Sequence, residues 1–549
     1  MVVTITLCTD GWKNTQRFDK MDEIGKTAED MAKEQRQISV SEFFEKNRHL
    51  LGYDNPTKAL LTVVKELVDN SLDASEEARI LPRIWVEVKS NGPDRFRIMV
   101  KDNGPGLVDK QIPLALGKLL YGSKFFRLRQ SRGQQGIGGS GAILYSQLTT
   151  GRPTTLISSI GNKKTSQYEM MIDVKKNEPE IISHQILEDG REWHGLKVEM
   201  EIEGRYIESR QGIPEYIKQV AIGNPFAEII FEGPNGKMEF PRAVNELPPI
   251  PKEIMPHPHG VELGILRRML KSTKSRTVAS FLTNDFSRIG SGTANEICKL
   301  AGIDPKISPG RLEVEDTEKL FKAMQKVKLV RPPTDCLSPL GEEMMIKGLK
   351  KELYAEFFAA VTRPPEVYRG NPFLIECAIA YGGQLPVDQP AKVLRLSNRV
   401  PLIYQEGDCA ITKAITGTDW KRYGLQQSGR SLPVGPAVIL VHIVSVWVPF
   451  LSESKQAVAA YPDIMKEIKL ALQELGRKLQ HHVAGKKKME MEQRRREIFD
   501  RYLPEVANAV GKLTSKPPEP ILNKLRNFVK KNTEVVEDDR SKEEVGNTG

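Results

Sequence analysis

Glu66 and Asn70 lie four residues apart in the run KELVDNSLDA (Lys65–Ala74), so on a helix they project from one face. A carboxylate placed there can polarise an attacking water, and an amide oxygen beside it can hold a divalent cation. Asp69 and Asp73 add negative charge nearby. A second run, KDNGPGL (Lys101–Leu107), sets Asp102 at the end of an alternating apolar segment. Its carboxylate can accept from an exocyclic amino group at the floor of a pocket. Gly104 and Gly106 allow a ligand to approach the backbone closely. The third run, RGQQGIGGSG (Arg132–Gly141), gathers glycines ahead of a small-residue helix start, where free backbone N–H groups bind phosphate. Its candidate ligand-binding residues are Arg132, Gly133, Gln134, Gln135, Gly136, Ile137, Gly138 and Gly139. Ser123 and Lys124, in the YGSK run just before it, can reach ribose or phosphate.

Each run alone has an ordinary reading: a helix with solvated acids, an Asn-Gly turn, a flexible loop. In this order and spacing they describe an adenine-nucleotide site. It has a base, a magnesium-anchoring amide, an adenine-reading aspartate and a phosphate cradle, with no Walker A lysine. A dinucleotide-binding fold does not fit, because no strand–helix unit precedes the glycines and no acidic ribose reader follows. ATP and Mg²⁺ are the expected ligands.

The elements that must hold these residues can be read outward from them. The clearest is a helix around Leu60–Ser71. Two alternating runs, Trp85–Val88 and Phe96–Val100, are broken by Asn91-Gly92-Pro93 and predict a hairpin. Further strands are expected near 154–160, 167–173, 195–202 and 228–232, without regular βαβ alternation, so an α+β sandwich is the better expectation. Proline-rich ELPPIPKEIMPHPHG (Glu246–Gly260) predicts a linker, and RPPTDCLSP (Arg331–Pro339) a second break after a helical segment. From Pro462 a single helix is expected, with Ile464, Ile468, Leu472, Leu475 and Leu479 on one stripe. It carries the basic triplets Lys486–Lys488 and Arg494–Arg496, and the charged last residues predict disorder.

A chain of 549 residues predicts two to four domains. The net charge of +10 permits nucleic-acid binding without establishing it. Cys8, Cys298, Cys336, Cys377 and Cys409 are scattered, with no CxxC pair, which suits a reducing cytoplasm and argues against structural zinc. No leader peptide is read, and Pro436–Phe450 is shorter than the about 20 residues a membrane helix needs. That Val- and Ile-rich run predicts a buried strand, and no membrane partner is expected.

The nucleotide motifs resemble the Bergerat fold of the DNA gyrase B subunit, heat-shock ninety-type chaperones, histidine kinases and MutL-type mismatch-repair proteins. Longer runs extend the resemblance over about residues 39 to 470. These are KELVDNSLDA, YGSKFF, RGQQGIGGSGAILYSQLTTGRP, EYIKQVAIGNPFAEI, RPPEVYRGNPFLIE, LSNRVPLIY and LSESKQAVA. Together they resemble the B-subunit family of archaeal-type DNA topoisomerase VI. The resemblance implies an α+β multidomain chain. A Bergerat-fold α/β sandwich ATPase domain would cover 37–254 after an N-terminal extension, 1–36. A small all-helical helix-two-turns-helix domain would cover 255–335. An α/β transducer domain ending in the long helix would cover 336–510, before a partly disordered tail, 511–549.

The same resemblance implies that Glu66 is the general base, Asn70 the Mg²⁺ ligand and Asp102 the adenine reader. It makes Lys455, in SESKQA, a lysine that reaches the γ-phosphate from the transducer domain. Double-stranded DNA is an implied partner. Candidate contacts are Arg288, the cluster Arg267, Arg268, Lys271, Lys274 and Arg276, and Trp420-Lys421-Arg422-Tyr423. Two departures stand out. Gly139 replaces the family's usual aliphatic, implying a looser lid, and Glu208 dilutes a basic loop around 204–211.

The chain has no Asp-x-Asp cluster and no tyrosine in a nucleophile context, so DNA breakage requires another chain. The resemblance implies the DNA-cleaving A subunit of topoisomerase VI, in a heterotetramer of two A and two B chains, with homodimerisation of this chain on ATP binding. It implies a nucleoid-associated place in an archaeal, prokaryotic cytoplasm. A reading from another class is a MutL-like or chaperone-like clamp that acts without a DNA-cleaving partner.

Overall fold

The computed structural model describes residues 28–122, 127–133, 136–188, 193–452 and 455–533. Asn55 caps the helix Pro56–Glu77, its side chain accepting from the Lys58 N–H at 2.9 Å, and Pro56 occupies the first turn, where its missing N–H costs nothing. Leu60, Val63, Val64, Leu67 and Val68 bury one face of this helix. They pack on a sheet whose strands are β1 (Arg83–Ser90), β2 (Arg95–Asp102), β3 (Thr154–Ile160), β4 (Thr165–Asp173), β5 (Glu178–Leu187), β6 (His194–Glu203), β7 (Glu228–Gly233) and β8 (Gly236–Phe240). The expected hairpin is β1–β2, paired antiparallel from Ile84↔Asp102 to Ser90↔Phe96. The eight-stranded order is β5-β4-β3-β6-β2-β1-β7-β8, with β1 and β7 parallel and the other neighbours antiparallel. The helices Gly138–Thr150 and Ile213–Gly223 share the core with Pro56–Glu77. This is an α+β sandwich with helices over one sheet.

A helical body follows, built from Leu263–Ser272, Val278–Asp285, Ser291–Ala301 and Val314–Lys326 around its own core of Leu266, Phe281, Leu282, Ile297 and Leu320. A second sheet comprises β9 (Phe357–Thr362), β10 (Glu366–Tyr368), β11 (Asn371–Tyr381), β12 (Lys392–Ser397), β13 (Val400–Pro401) and β14 (Ala437–Ser445). Its order is β10-β11-β14-β12-β13, with β9 on β11. Every residue of β14 is buried, as the apolar run predicted. Helix Pro462–Thr514 packs on this sheet through the buried Ile464, Ile468, Leu472, Leu475 and Leu479. Pro518–Thr533 forms a further helix, and 534–549 lie outside the described residues. Among the described residues no helix is long and apolar enough to cross a membrane.

Candidate active site

A cavity of about 680 Å³ opens between the first sheet's helices and the second body. Helix Pro56–Glu77 brings Lys65, Glu66, Asn70 and Ser71 to its wall, and β2 ends there at Asp102. Gly106, beyond Asp102, and Gly133, Gly136, Ile137, Gly138 and Gly139 of the glycine-rich loop also line it. The second body adds Pro401, Ile403, Tyr404, Lys455 and Gln456. Residues distant in sequence thus share one space. Ser123, Lys124, Gln134 and Gln135 lie outside the described residues.

Asp102 is buried and tightly held. Its Oδ1 accepts from the N–H groups of Gly104 (2.8 Å) and Leu196 (3.0 Å), while Oδ2 accepts from Ser71 Oγ at 2.8 Å. Oδ2 therefore keeps capacity for a further donor, such as an amino group in the cavity. Burial pushes this carboxyl above the ordinary aspartate value, against the lowering effect of those three donors. Gly104 does not line the cavity; its N–H fixes Asp102, and a Cβ there would press on Asp102 Oδ1 at 3.0 Å. Gly106 has φ +72°, and a Cβ would collide with the Ser159 carbonyl.

Burial would raise the Glu66 carboxyl, but Lys65 and then Lys455 outweigh it and hold it below the ordinary glutamate value. Lys65 Nζ sits 3.1 Å from Glu66 Oε1 and 3.2 Å from Asp69 Oδ2. Glu66 is thus ionised at neutral pH and faces the cavity. Lys65 opens the first motif, yet sequence reasoning assigns it no role; its adjacency to Glu66 is the available signal. Asn70 is exposed toward the cavity. Helix Gly138–Thr150 starts at the glycine loop, and Ile137 offers no capping side chain, so its first-turn N–H groups remain for an anion. A Cβ at Gly138 would collide with Glu66 Oε2. Gly139 is buried in the first helical turn, where a Cβ would lie 2.8 Å from Leu116 Cδ2 and 3.3 Å from Asn70 Nδ2. A side chain here would have to displace the ends of Leu116 and Asn70, so the glycine also allows close packing.

Lys455 is partly buried, with φ +52°, and its Nζ donates to the Arg132 carbonyl at 3.3 Å. Burial lowers its pKa, with Glu66 opposing. Arg132 departs from expectation. Its guanidinium does not line the cavity; Nη1 meets Asp73 Oδ1 at 3.0 Å and Nη2 meets Glu76 and Asn224 Oδ1. Two carboxylates behind the loop capture it, and its carbonyl is the group that accepts from Lys455.

The proposed DNA contacts also divide. Arg267, Arg268, Lys271, Lys274, Arg276 and Arg288 are exposed, and Arg288 Nε donates to the Arg331 carbonyl at 3.1 Å. Trp420 is fully buried and its Nε1 donates to the Ile415 carbonyl at 2.9 Å. Its ring therefore packs the core, while Lys421 and Arg422 are exposed and Tyr423 is half-buried.

Residues 55–168 match the family model described as Histidine kinase-, DNA gyrase B-, and HSP90-like ATPase. Residues 332–495 match the one described as Topoisomerase VI B subunit, transducer. The chain is 49% identical over 487 residues to the type 2 DNA topoisomerase 6 B subunit of Methanococcoides burtonii, covering 88% of this chain and 78% of that one. Its likeness to the protein of the same name from Archaeoglobus fulgidus is 47% over 494 residues, covering 89% and 81%. With that from Pyrococcus furiosus it is 37% over 567 residues, covering 94% and 99%.

Proposed function

This chain belongs to the B-subunit family of type 2 DNA topoisomerase 6, and from that premise we propose how its nucleotide site drives the enzyme. It is the ATP-binding subunit of an ATP-dependent type II DNA topoisomerase. Membership implies DNA and a partner A subunit. The observation that carries the proposal is that Glu66 and Lys455, on separate bodies, line one cavity.

In this reading Glu66 is the general base, Asp102 takes the adenine amino group, and the glycine loop with the Gly138 helix start cradles the phosphates. Lys455 engages the γ-phosphate, so the phosphate state sets the angle between the bodies. The residues present fit a phosphate-bound Mg²⁺: Asn70 offers one amide oxygen beside Glu66. Among the described residues no group of three or more His, Cys, Asp or Glu forms a protein cage for a metal. When bound, the ion would neutralise phosphate charge. Gln134, Gln135, Ser123 and Lys124 remain candidate nucleotide contacts, and Arg132 acts indirectly, its carbonyl accepting from Lys455.

We divide the chain into an extension (1–36), an ATPase domain (37–254), a helix-two-turns-helix domain (255–335), a transducer (336–510) and a tail (511–549). Two copies dimerise through their nucleotide domains on binding ATP and trap a duplex. Two cleavage chains then cut and reseal a second duplex in an A₂B₂ assembly, in the archaeal cytoplasm. The test is relaxation of supercoiled DNA. The cleavage chain plus this chain plus ATP should relax it, and neither chain alone should. Activity of this chain without a cleavage partner, or ATP turnover without any relaxation by the mixture, would favour a clamp instead.

A further inference from the structure

Two runs, EYIKQVAIGNPFAEI and LSNRVPLIY, converge on a buried junction behind the cavity. Between β12 and β13 the chain reverses through Asn398 and Arg399, whose φ values of +46° and +68° suit a type I′ hairpin. Asn398 ties the turn to β14: its Oδ1 accepts from the Ser445 N–H at 3.0 Å and its Nδ2 donates to the Ser445 carbonyl at 2.9 Å. The same Nδ2 donates to the Ser131 carbonyl at 3.0 Å, at the entrance of the glycine loop.

Arg399 completes the junction. Its Nη2 meets Glu76 Oε2 at 2.7 Å, and its Nη1 donates to the Ser338 carbonyl at 3.2 Å. The other Glu76 oxygen takes Arg132, so one carboxylate on helix Pro56–Glu77 is gripped from the glycine loop and from the second sheet. Asp73 and Glu76 balance the two guanidiniums, whose side chains are only 2% and 6% exposed. Asn224 joins the same group, accepting from Arg132 at 2.6 Å and donating to the Arg399 carbonyl at 3.4 Å. The Arg399 N–H donates to His442 Nε2 at 2.9 Å, which leaves His442 Nδ1–H to donate to Glu376 at 2.8 Å within the second sheet. A void of about 20 Å³, lined by Ser131, Arg132, Asn398 and Lys455 among others, separates the turn from the lysine. Both therefore face the same stretch of loop, Ser131 and Arg132.

We propose that the Asn398-Arg399 turn is a second coupling contact between the nucleotide domain and the transducer, separate from Lys455. It clamps Ser131, Arg132 and the C-terminal half of helix Pro56–Glu77 to the buried centre of the second sheet, so a nucleotide-driven shift of the glycine loop passes into β14. Neither residue lines the cavity; both are positioning residues. The inference rests on the ATP reading.

The test uses the full chain with Cys8→Ser and fluorophores at Lys176→Cys and Lys413→Cys, two exposed positions on the two bodies. Energy transfer is read with and without a non-hydrolysable ATP analogue and Mg²⁺, and analogue affinity is titrated in parallel. Asn398→Gly keeps the positive-φ turn but loses the Ser131 contact; Arg399→Lys keeps the charge but loses the fork. In both variants affinity should stay within about tenfold of the parent while the nucleotide-driven transfer change falls by about half or more. A full parental change in both variants overturns the inference, as does a parent that binds the analogue with no change in transfer. A parent that binds no nucleotide fails the ATP reading itself.

Discussion

The two halves of helix Pro56–Glu77 carry the same kind of acid into opposite surroundings. Glu66, 24% exposed, faces the cavity with Lys65 alongside and keeps access to water. Glu76, 14% exposed, has an arginine on each oxygen. A carboxylate with both oxygens committed to guanidiniums cannot orient a reacting water, but it can fix distances between bodies. One with a lysine on one side stays ionised and available. Partners, more than residue type, set what each carboxylate is free to do.

The largest effect is expected at Glu66. Glu66→Gln should lower ATP turnover by about 10²–10⁴-fold. Nucleotide binding should persist, and unfolding stability should move by only about 0–1 kcal/mol, as for a partly exposed pair. Unchanged steady-state turnover would remove the base. Glu76→Gln acts at the other end. It leaves the buried Arg399 without its carboxylate and Arg132 with the carboxylate of Asp73 alone, and should cost about 3–5 kcal/mol in chemical denaturation. A loss near zero would mean the junction is not held by this carboxylate.

Lys65→Met sharpens the contrast by a smaller amount. With that cation gone, burial is less opposed and the Glu66 carboxyl rises. Turnover depends on the ionised form, which is lost as pH falls through the folded-state pKa. The parent's acid limb therefore lies below the ordinary glutamate value, and the variant's limb should move to higher pH. A pH–rate profile checks the direction; a limb shifted to lower pH would contradict the assignment.

Much of this was legible in the sequence where local pattern decides the outcome. Helical spacing put Glu66 and Asn70 on one face, the glycine run announced a helix start, and the apolar run at 436–450 became a central strand. The stripe from Ile464 to Leu479 was equally plain, because one helix face meets one sheet. Direction was harder to read where distant partners choose it. Arg132 turns away from the ligand because Asp73, Glu76 and Asn224 lie behind it, and nothing beside it in sequence says so. Trp420, between charged neighbours, reads as exposed, yet a short 3₁₀ turn drops its ring into the core. Gly139 suggested flexibility, and the side chains packed against it, Leu116 and Asn70, come from other elements that its local sequence does not name.

The most direct test of the separation is one parallel measurement of ATP turnover and denaturation midpoint for the parent, Glu66→Gln and Glu76→Gln. A crossed pattern is expected: Glu66→Gln loses turnover with a nearly unmoved midpoint, while Glu76→Gln loses stability far more than Glu66→Gln does. If Glu66→Gln unfolds as readily as Glu76→Gln, or Glu76→Gln leaves the midpoint in place, the two halves of the helix do not divide the work in this way.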